Sequence, residues 1–262
     1  MKRICILTEV IVLKKTKSRK LILSVAGGLA ASCAIIGTIA FLSSYDEVAN
    51  VFKGGNVSII LSEPDYPGDT SPEVTAVAHN AVVDKNPQIT NNGDNGTYVF
   101  LRVTVPLEKI TELKPDGTAM DKQIVEGVVS PLLQELFYMK IQDQSVNDFT
   151  NGFHNTEWIE LKQFAAGGSY NESGIWSYDS DAQTRTYLFG YYRVLEPGET
   201  TDAPLFDQVQ LKNMKEQFLF SNFLKQINIE ALGIQSDALE GIDTSQPMNE
   251  EKLSAIFRLI DE

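Results

Sequence analysis

Residues 98–105 read Tyr-Val-Phe-Leu-Arg-Val-Thr-Val and form the clearest alternating pattern in the chain. In an extended chain, successive side chains point to opposite faces, so Val99, Leu101, Val103 and Val105 share one face and Tyr98, Phe100, Arg102 and Thr104 share the other. β-Branched and aromatic residues favour strands, and the turn pairs Asn92-Gly93 and Asn95-Gly96 come just before. The stretch predicts a β-strand that ends at Pro106.

Comparable stretches recur on both sides of this strand, with turn residues between them. Predicted strands are Asn56–Ser62, Leu136–Ile141, Trp158–Phe164, Arg185–Val194, Phe206–Leu211 and Ile227–Ile234. Ile124–Leu136 fits either a short helix or a pair of strands, and Lys212–Phe223 fits a helix. Asp84–Thr97 and Gly167–Asp181 are rich in turn residues and predict loops. With no βαβ rhythm and no internal repeat, residues 53–240 predict an all-β fold, an antiparallel β-sandwich with short helical insertions.

The tail, residues 241–262, has a different pattern. Asn249 is a helix-capping residue, and Glu250 and Glu251 follow in the first turn, where negative charge is favourable. Leu253, Ile256, Phe257 and Ile260 fall on one side of a helix. The tail therefore predicts a C-terminal amphipathic helix. Docking on the domain is the preferred interpretation, and a partner-binding appendage is the alternative.

The beginning of the chain predicts export. Leu21–Leu42 contains 22 residues without a charge, and five basic residues lie just before it, at positions 14, 15, 17, 19 and 20. Small residues at Thr38 and Ala40 indicate a signal peptide, residues 1–40, cleaved before Phe41. As a helix the apolar run would span about 33 Å, so an uncleaved membrane anchor is the alternative. Gly27-Gly28 weakens that helix and favours removal, and in both cases Phe41 onward lies outside the cytoplasm.

Charge and cysteine content narrow the function classes for the part after the leader. Residues 1–40 hold seven of the 22 Lys and Arg and one of the 35 Asp and Glu, which leaves 15 basic and 34 acidic side chains, a net charge near −19 instead of −13. Such a surface repels nucleic acid and anionic lipid, so the membrane is expected to be a partner only through the leader. Both cysteines, Cys5 and Cys33, lie in the leader, so the exported domain has no disulfide and no thiol nucleophile.

A search for catalytic motifs finds none. The two histidines, His79 and His154, do not form a His-Glu-x-x-His zinc motif, and no nucleophile elbow, phosphate loop or dinucleotide fingerprint occurs. We therefore predict no catalytic, cofactor-binding or metal-binding residue. A monomeric surface module that binds carbohydrate stays possible if the aromatic residues Tyr187, Phe189 and Tyr191 are exposed, although a place on one face of a sheet is the preferred interpretation.

The order of several short motifs resembles a known family. The leader ends Gly37-Thr38-Ile39-Ala40-Phe41, and residues 52–59 read Phe-Lys-Gly-Gly-Asn-Val-Ser-Ile. Residues 87–93 read Pro-Gln-Ile-Thr-Asn-Asn-Gly and precede Tyr98–Val103; residues 195–201 read Leu-Glu-Pro-Gly-Glu-Thr-Thr, with Pro-Leu-Phe-Asp at 204–207; residues 229–237 read Ile-Glu-Ala-Leu-Gly-Ile-Gln-Ser-Asp. Together they resemble the TasA/camelysin-type exported proteins of Gram-positive bacteria, whose leader is cleaved by a SipW-type signal peptidase. This leader is unusually long, and residues 236–262 have no counterpart in the resemblance.

The resemblance implies a jelly-roll sandwich that is secreted into the biofilm matrix or held on the cell surface. It also implies self-association into fibres, in which residues 41–52 of one subunit add as a strand to the next. The apolar residues of this candidate donor segment are Phe41, Leu42, Tyr45, Val48, Val51 and Phe52. By spacing alone the segment fits a helix or an extended chain. The camelysin branch implies a surface metalloendopeptidase instead. Because the sequence has no zinc motif, this activity is the alternative, and a structural protein is the preferred hypothesis.

The secreted form is expected to begin at Phe41, because Thr38 and Ala40 supply the small residues that a signal peptidase requires. N-terminal sequencing and intact-mass measurement of the protein from culture medium test this. A product that still carries residues 21–40 would indicate a membrane anchor and would contradict the prediction.

Overall fold

In the computed structural model, the structure describes residues 57–68, 78–140, 156–170, 176–216, 227–239 and 248–261. The cleavage site and the donor segment 41–52 lie outside the described residues. The described strands are β1 Ile59–Ser62, β2 Val82–Asp84, β3 Gln88–Asn91, β4 Thr97–Ile110, β5 Ile124–Val125, β6 Val128–Val129, β7 Leu132–Glu135, β8 Phe137–Lys140, β9 Trp158–Glu160, β10 Gly168–Tyr170, β11 Trp176–Tyr178, β12 Thr184–Tyr191, β13 Gln208–Leu211 and β14 Asn228–Gln235. One α-helix, α1 Glu250–Asp261, follows them.

The central strand is β4, with fourteen residues. On one flank it pairs with β12, which in turn pairs with β9, and on the other flank it pairs with β14 along residues 97–104. Its last four residues, 107–110, pair with β7. A second sheet has the order β2-β13-β8, and β1 pairs with β3. All these pairs are antiparallel, which confirms the predicted all-β sandwich.

Side chains of β4 are buried on both faces of its sheet. Val99, Leu101, Val103 and Val105 belong to the main core, which the second sheet and the β1–β3 pair complete with residues such as Ile59, Ile89, Val209 and Phe206. Tyr98 and Phe100 belong to a helix-side core with Leu253, Ile256, Phe257 and Ile260 of α1. The predicted two-faced alternation is therefore correct, and the tail helix docks on the domain.

Helix α1 begins where the sequence indicated. The Asn249 side chain accepts a hydrogen bond from Lys252 N at 2.9 Å, which satisfies a first-turn amide that has no partner within the helix. Phe257 packs edge-on against Phe100, with ring centroids 5.4 Å apart, and against Phe164 at 4.7 Å. The helix thus covers the second face of the large sheet.

Pro106 does not end β4, contrary to the prediction. Thr97 N and Leu107 N donate to Leu195 O and Gln183 O, both on the β12 side. Alternate residues point their backbone groups to opposite flanks, so residue 106 points its nitrogen towards the flank of β14 and β7. Pairing with β14 stops at Thr104 and pairing with β7 starts at Leu107. Proline lies at this gap, where no strand needs its N–H.

Other differences concern segments rich in turn residues. β3 lies inside the predicted loop 84–97, and β10 and β11 form a hairpin inside the predicted loop 167–181. Ile124–Leu136 contains the strand pair β5–β6, not a helix. Residues 212–216, the described part of the predicted helix Lys212–Phe223, are not helical. The predicted short helical insertions are 3-10 turns at Asp121–Gln123, Lys162–Phe164 and Ser236–Ala238.

Replacing Phe257 by Ala is expected to lower the free energy of unfolding by about 3–5 kcal/mol, because the change leaves a cavity between α1 and the sheet. Urea unfolding followed by fluorescence measures it. Glu251→Ala, at an exposed position of the same helix, is the matched control and should lower stability by no more than about 1 kcal/mol, the size of its favourable charge interaction in the first turn. Equal stability of the two variants would show that the helix-side core contributes little.

Candidate functional site

The outer edge of β14 is the longest strand edge that no described strand covers. Ser236 N donates to Gly96 O at 2.8 Å, so residue 236 points its backbone groups inward, towards the side of β4. By alternation, the backbone N–H and C=O groups of Ile229, Ala231, Gly233 and Gln235 point outward. In the described ranges β14 is an end strand of eight residues, whereas β1, β2, β8 and β9 have three or four. We call these four outward-pointing residues the open edge, in the sense that no strand of the described ranges pairs with them. All four are buried, with Ile229, Ala231 and Gln235 only 5%, 2% and 6% exposed.

Both faces next to the open edge are covered. On the main-core face, a Cβ on Gly233 would lie 3.2 Å from Ile59 Cδ1 and from Val57 Cγ1, so β1 lies directly over this strand. On the helix side, Leu232 and Ile234 of β14 pack with α1 in the helix-side core. The edge therefore lies between two packed layers, and its outward backbone groups are the ones with which an additional strand would pair.

The same flank continues beyond β14. β7 pairs with residues 107–110 of β4, and Leu107 points its own backbone groups to the opposite side, towards Gln183. β7 therefore lies on the flank of β14 and follows it along β4. Within the described part of the chain, β7 has no second partner strand. Together, β14 and β7 pair with twelve of the fourteen residues of β4, a strand about 46 Å long at 3.3 Å per residue.

The motifs that carry the family resemblance meet at one end of this sheet. The Asn91 side chain donates to the carbonyl oxygens of Asn95 and Leu195, each at 2.8 Å. Gly198 N donates to Asn91 O and Thr201 N donates to Ile89 O, so the 195–201 loop pairs with β3. Residues 89–95 and 195–201, which are distant in sequence, thus form one contact network around Asn91, and this network sets the position of the loop between β12 and β13.

A charged cluster holds the same loop from outside. Arg193 Nη1 donates to Glu199 at 2.7 Å, and Nη2 forms an ion pair with Asp202 at 3.1 Å. The Tyr191 hydroxyl donates to Asp202 Oδ2 and accepts from Asp202 N. Hydrogen bonds from Arg193 lower the pKa of Asp202 and that of Glu199, and burial raises the pKa of Tyr191. These groups are bonded to one another, which indicates a structural role.

The structure locates only some of the residues that the sequence singled out. Thr38, Ala40, Phe41 and the rest of the donor segment lie outside the described residues, and so does His154. The suggestion of a carbohydrate site on exposed aromatic residues is wrong, because Tyr187, Phe189 and Tyr191 are fully buried in the main core. The open edge had no sequence signal of its own, since only pairing order identifies an end strand.

Two further properties concern the described residues alone. They contain no group of three or more His, Cys, Asp or Glu side chains arranged to hold a metal ion. None of the helices in the described ranges is long and apolar enough to cross a membrane.

Comparison of the chain with models of known protein families, with curated proteins and with solved structures finds no match.

Replacing Arg193 by Gln is expected to destabilise the protein at neutral pH, with a smaller effect in acid. A carboxyl group whose pKa falls on folding contributes stability above its ordinary pKa, 3.8 for Asp202 and 4.5 for Glu199, and loses that contribution as the pH falls through its folded value. The difference between wild type and variant should therefore shrink as the pH falls below about 4.

Thermal unfolding of both proteins between pH 3 and pH 8 is the measurement, with Arg258→Gln as the control, because Arg258 donates to the neutral Gln163 side chain. A difference that does not change with pH would mean that Arg193 acts through packing and not through the two carboxylates.

Proposed function

We propose that this chain is an exported structural protein of the biofilm matrix or the cell surface, whose subunits assemble into fibres by strand addition. The observation that carries the proposal is the open edge of β14. The donor is residues 41–52 of another subunit, which the signal peptidase exposes when it cleaves before Phe41. The resemblance of the sequence motifs to TasA/camelysin-type proteins supports the same proposal.

Strand addition is supported by the missing strand partner at the open edge and by the apolar side chains of residues 41–52. Buried backbone N–H and C=O groups need hydrogen-bond partners, no strand of the described ranges pairs with those of the open edge, and an added strand would supply partners. Phe41, Leu42, Tyr45, Val48, Val51 and Phe52 supply apolar side chains for such a strand. Because each subunit both donates and accepts, this head-to-tail contact does not close on itself and produces a filament.

Charge sets the conditions for assembly. About 19 net negative charges on each secreted subunit oppose close approach. Salt limits this repulsion to about 8 Å at physiological ionic strength, and acid neutralises carboxylates. Assembly should therefore be faster with added salt and as the pH falls towards the sequence pI of about 4.7.

Two variants separate the donor from the acceptor. Deletion of residues 41–52 removes the donor and keeps the edge. Ala231→Pro keeps the donor but removes an outward N–H and blocks the edge, without touching a bond to β4. Each variant alone is expected to stay monomeric, while a mixture forms a one-to-one dimer and nothing larger, since that dimer has neither a free donor nor a free edge.

Light scattering across a salt and pH series, with size-exclusion chromatography of the mixture, measures these states; unfolding midpoints confirm that both variants fold. Fibres formed by the deletion variant alone would refute strand donation. A wild-type protein that stays monomeric under all conditions would favour a monomeric surface module.

A further inference from the structure

The base of the β5–β6 hairpin brings a lysine, a side-chain amide and a carboxylate into direct contact. Lys122 Nζ donates to Gln134 Oε1 at 3.0 Å and forms an ion pair with Glu112 Oε2 at 2.8 Å. Glu112 and Gln134 are buried, at 2% and 4% exposure, whereas the Lys122 side chain reaches the surface. An amine in contact with both an amide and a base is the arrangement that acyl transfer to nitrogen requires.

Two contacts fix the orientation of the Gln134 amide. Its Nε2 donates to Ile110 O at 3.4 Å, and its Oε1 accepts from Lys122, whose ammonium group has only donors. The carbonyl end of the amide therefore points to the amine. Because Cδ is bonded to Oε1, the carbon that a nucleophile would attack is adjacent to the atom that Lys122 already contacts.

The Glu112 carboxylate is held in place beside the amine. The Tyr138 hydroxyl donates to Oε1, the oxygen that does not contact Lys122. Lys212 Nζ lies 4.0 Å from Oε2 and is fully buried. Glu112 thus keeps one oxygen directed at Lys122, where it can accept a proton.

We propose that Lys122 and Gln134 form an intramolecular isopeptide bond in the folded protein, with Glu112 as the residue that transfers the protons. The substrate class is a side-chain amine and a side-chain amide of the same chain. This modification goes beyond strand addition and does not depend on it, because all three residues belong to one subunit and lie in the described ranges.

The proposed reaction balances without an oxidant, a reductant or an external reactant. Glu112 accepts one proton from the Lys122 ammonium group, and the neutral Nζ attacks Gln134 Cδ, so that the carbonyl electron pair moves to Oε1. The carboxyl group gives its proton to Nε2, the carbonyl reforms, and the Cδ–Nε2 bond breaks to release ammonia. A second proton of Nζ passes through Glu112 to the ammonia, so the products are an Nζ–Cδ amide bond and one ammonium ion.

The bond would tie together the two ends of the hairpin. Lys122 precedes β5 and Gln134 lies in β7, twelve residues further along the chain. The four apolar side chains of β5 and β6 are between 41% and 65% exposed, and a two-stranded hairpin with so little packing is marginally stable. A covalent link stabilises by restricting the unfolded chain, so it would hold this hairpin without further packing.

Digestion of the denatured protein at its glutamate residues tests the bond directly. Cleavage after Glu126 separates residues 113–126 from residues 127–135, and the second fragment contains one glutamine, Gln134, and no lysine. We expect the two fragments to stay joined, with their summed mass reduced by one ammonia relative to the unlinked pair. Fragmentation of the joined peptide in the mass spectrometer should locate the link at Lys122.

Two lysine variants provide the comparison. Lys122→Arg keeps a positive charge beside Glu112 but removes the nucleophilic amine, so the two fragments should separate. Lys114→Arg is the matched control, because Lys114 belongs to the same fragment and forms an ion pair of 2.7 Å with Asp121; its fragments should stay joined. Thermal unfolding should begin from a midpoint roughly 5–10 °C lower in Lys122→Arg than in Lys114→Arg.

Glu112→Gln tests the proton transfer. It keeps the size of the side chain but cannot accept the proton, so the joined fraction should fall. The change also removes the charge that faces buried Lys212, so circular dichroism is used to check that the variant folds. The existence of the bond is decided by the wild type and Lys122→Arg alone.

Each outcome has a definite meaning. Separate, unmodified fragments from folded wild-type protein incubated for days at neutral pH would refute the isopeptide bond and leave an ordinary hydrogen bond. A link that persists in Lys122→Arg, or that maps to Lys114, would refute the assigned residues. A folded Glu112→Gln variant that links as fast as the wild type would refute the role of Glu112.

Discussion

Burial of β4 on both faces is the constraint on which the rest of this fold depends. A strand with apolar residues on both sides is stable only if a layer covers each side. The second sheet and the β1–β3 pair cover one face, and α1 covers the other through Leu253, Ile256 and Phe257. The tail helix is therefore part of the domain, and the fourteen-residue length of β4 fixes how long the flanks beside it are.

The two flanks of β4 pair with different strands. β12 covers one flank and β9 continues that side, whereas the other flank is shared by β14 and β7, which meet at Pro106. Proline is tolerated there because neither strand reaches its nitrogen. The same division places the outer edges of β14 and β7 on one flank of β4.

The alternating pattern predicted β1, β4, β12 and β14 because each has at least one face in a core. It missed β3, β10 and β11 because their sequences carry turn residues for tertiary reasons. Gly167 has a φ of 89°, and a side chain there would overlap the carbonyl oxygen of Thr184 on the neighbouring strand β12. Glycine is thus required by close approach of two strands, and its sequence signal is the same as that of a loop. The sequence could not show that β14 is an end strand, because the order of strands in a sheet depends on contacts between residues more than 100 positions apart, such as Ala231 with Leu101.

A strand edge left unpaired beside an apolar core is ordinarily a hazard, and β14 itself contains no lysine or proline that would prevent pairing. Its outward-pointing residues are Ile229, Ala231, Gly233 and Gln235, and the one charge in the middle of the strand, Glu230, is paired with Arg102. Protection by net charge is different in kind, because it acts over a distance and depends on salt and pH, whereas a lysine or proline blocks pairing under all conditions. Under the proposed assembly, repulsion would keep subunits apart at low ionic strength and screening would let them approach, so association would depend on salt and pH and not on a change in β14 itself.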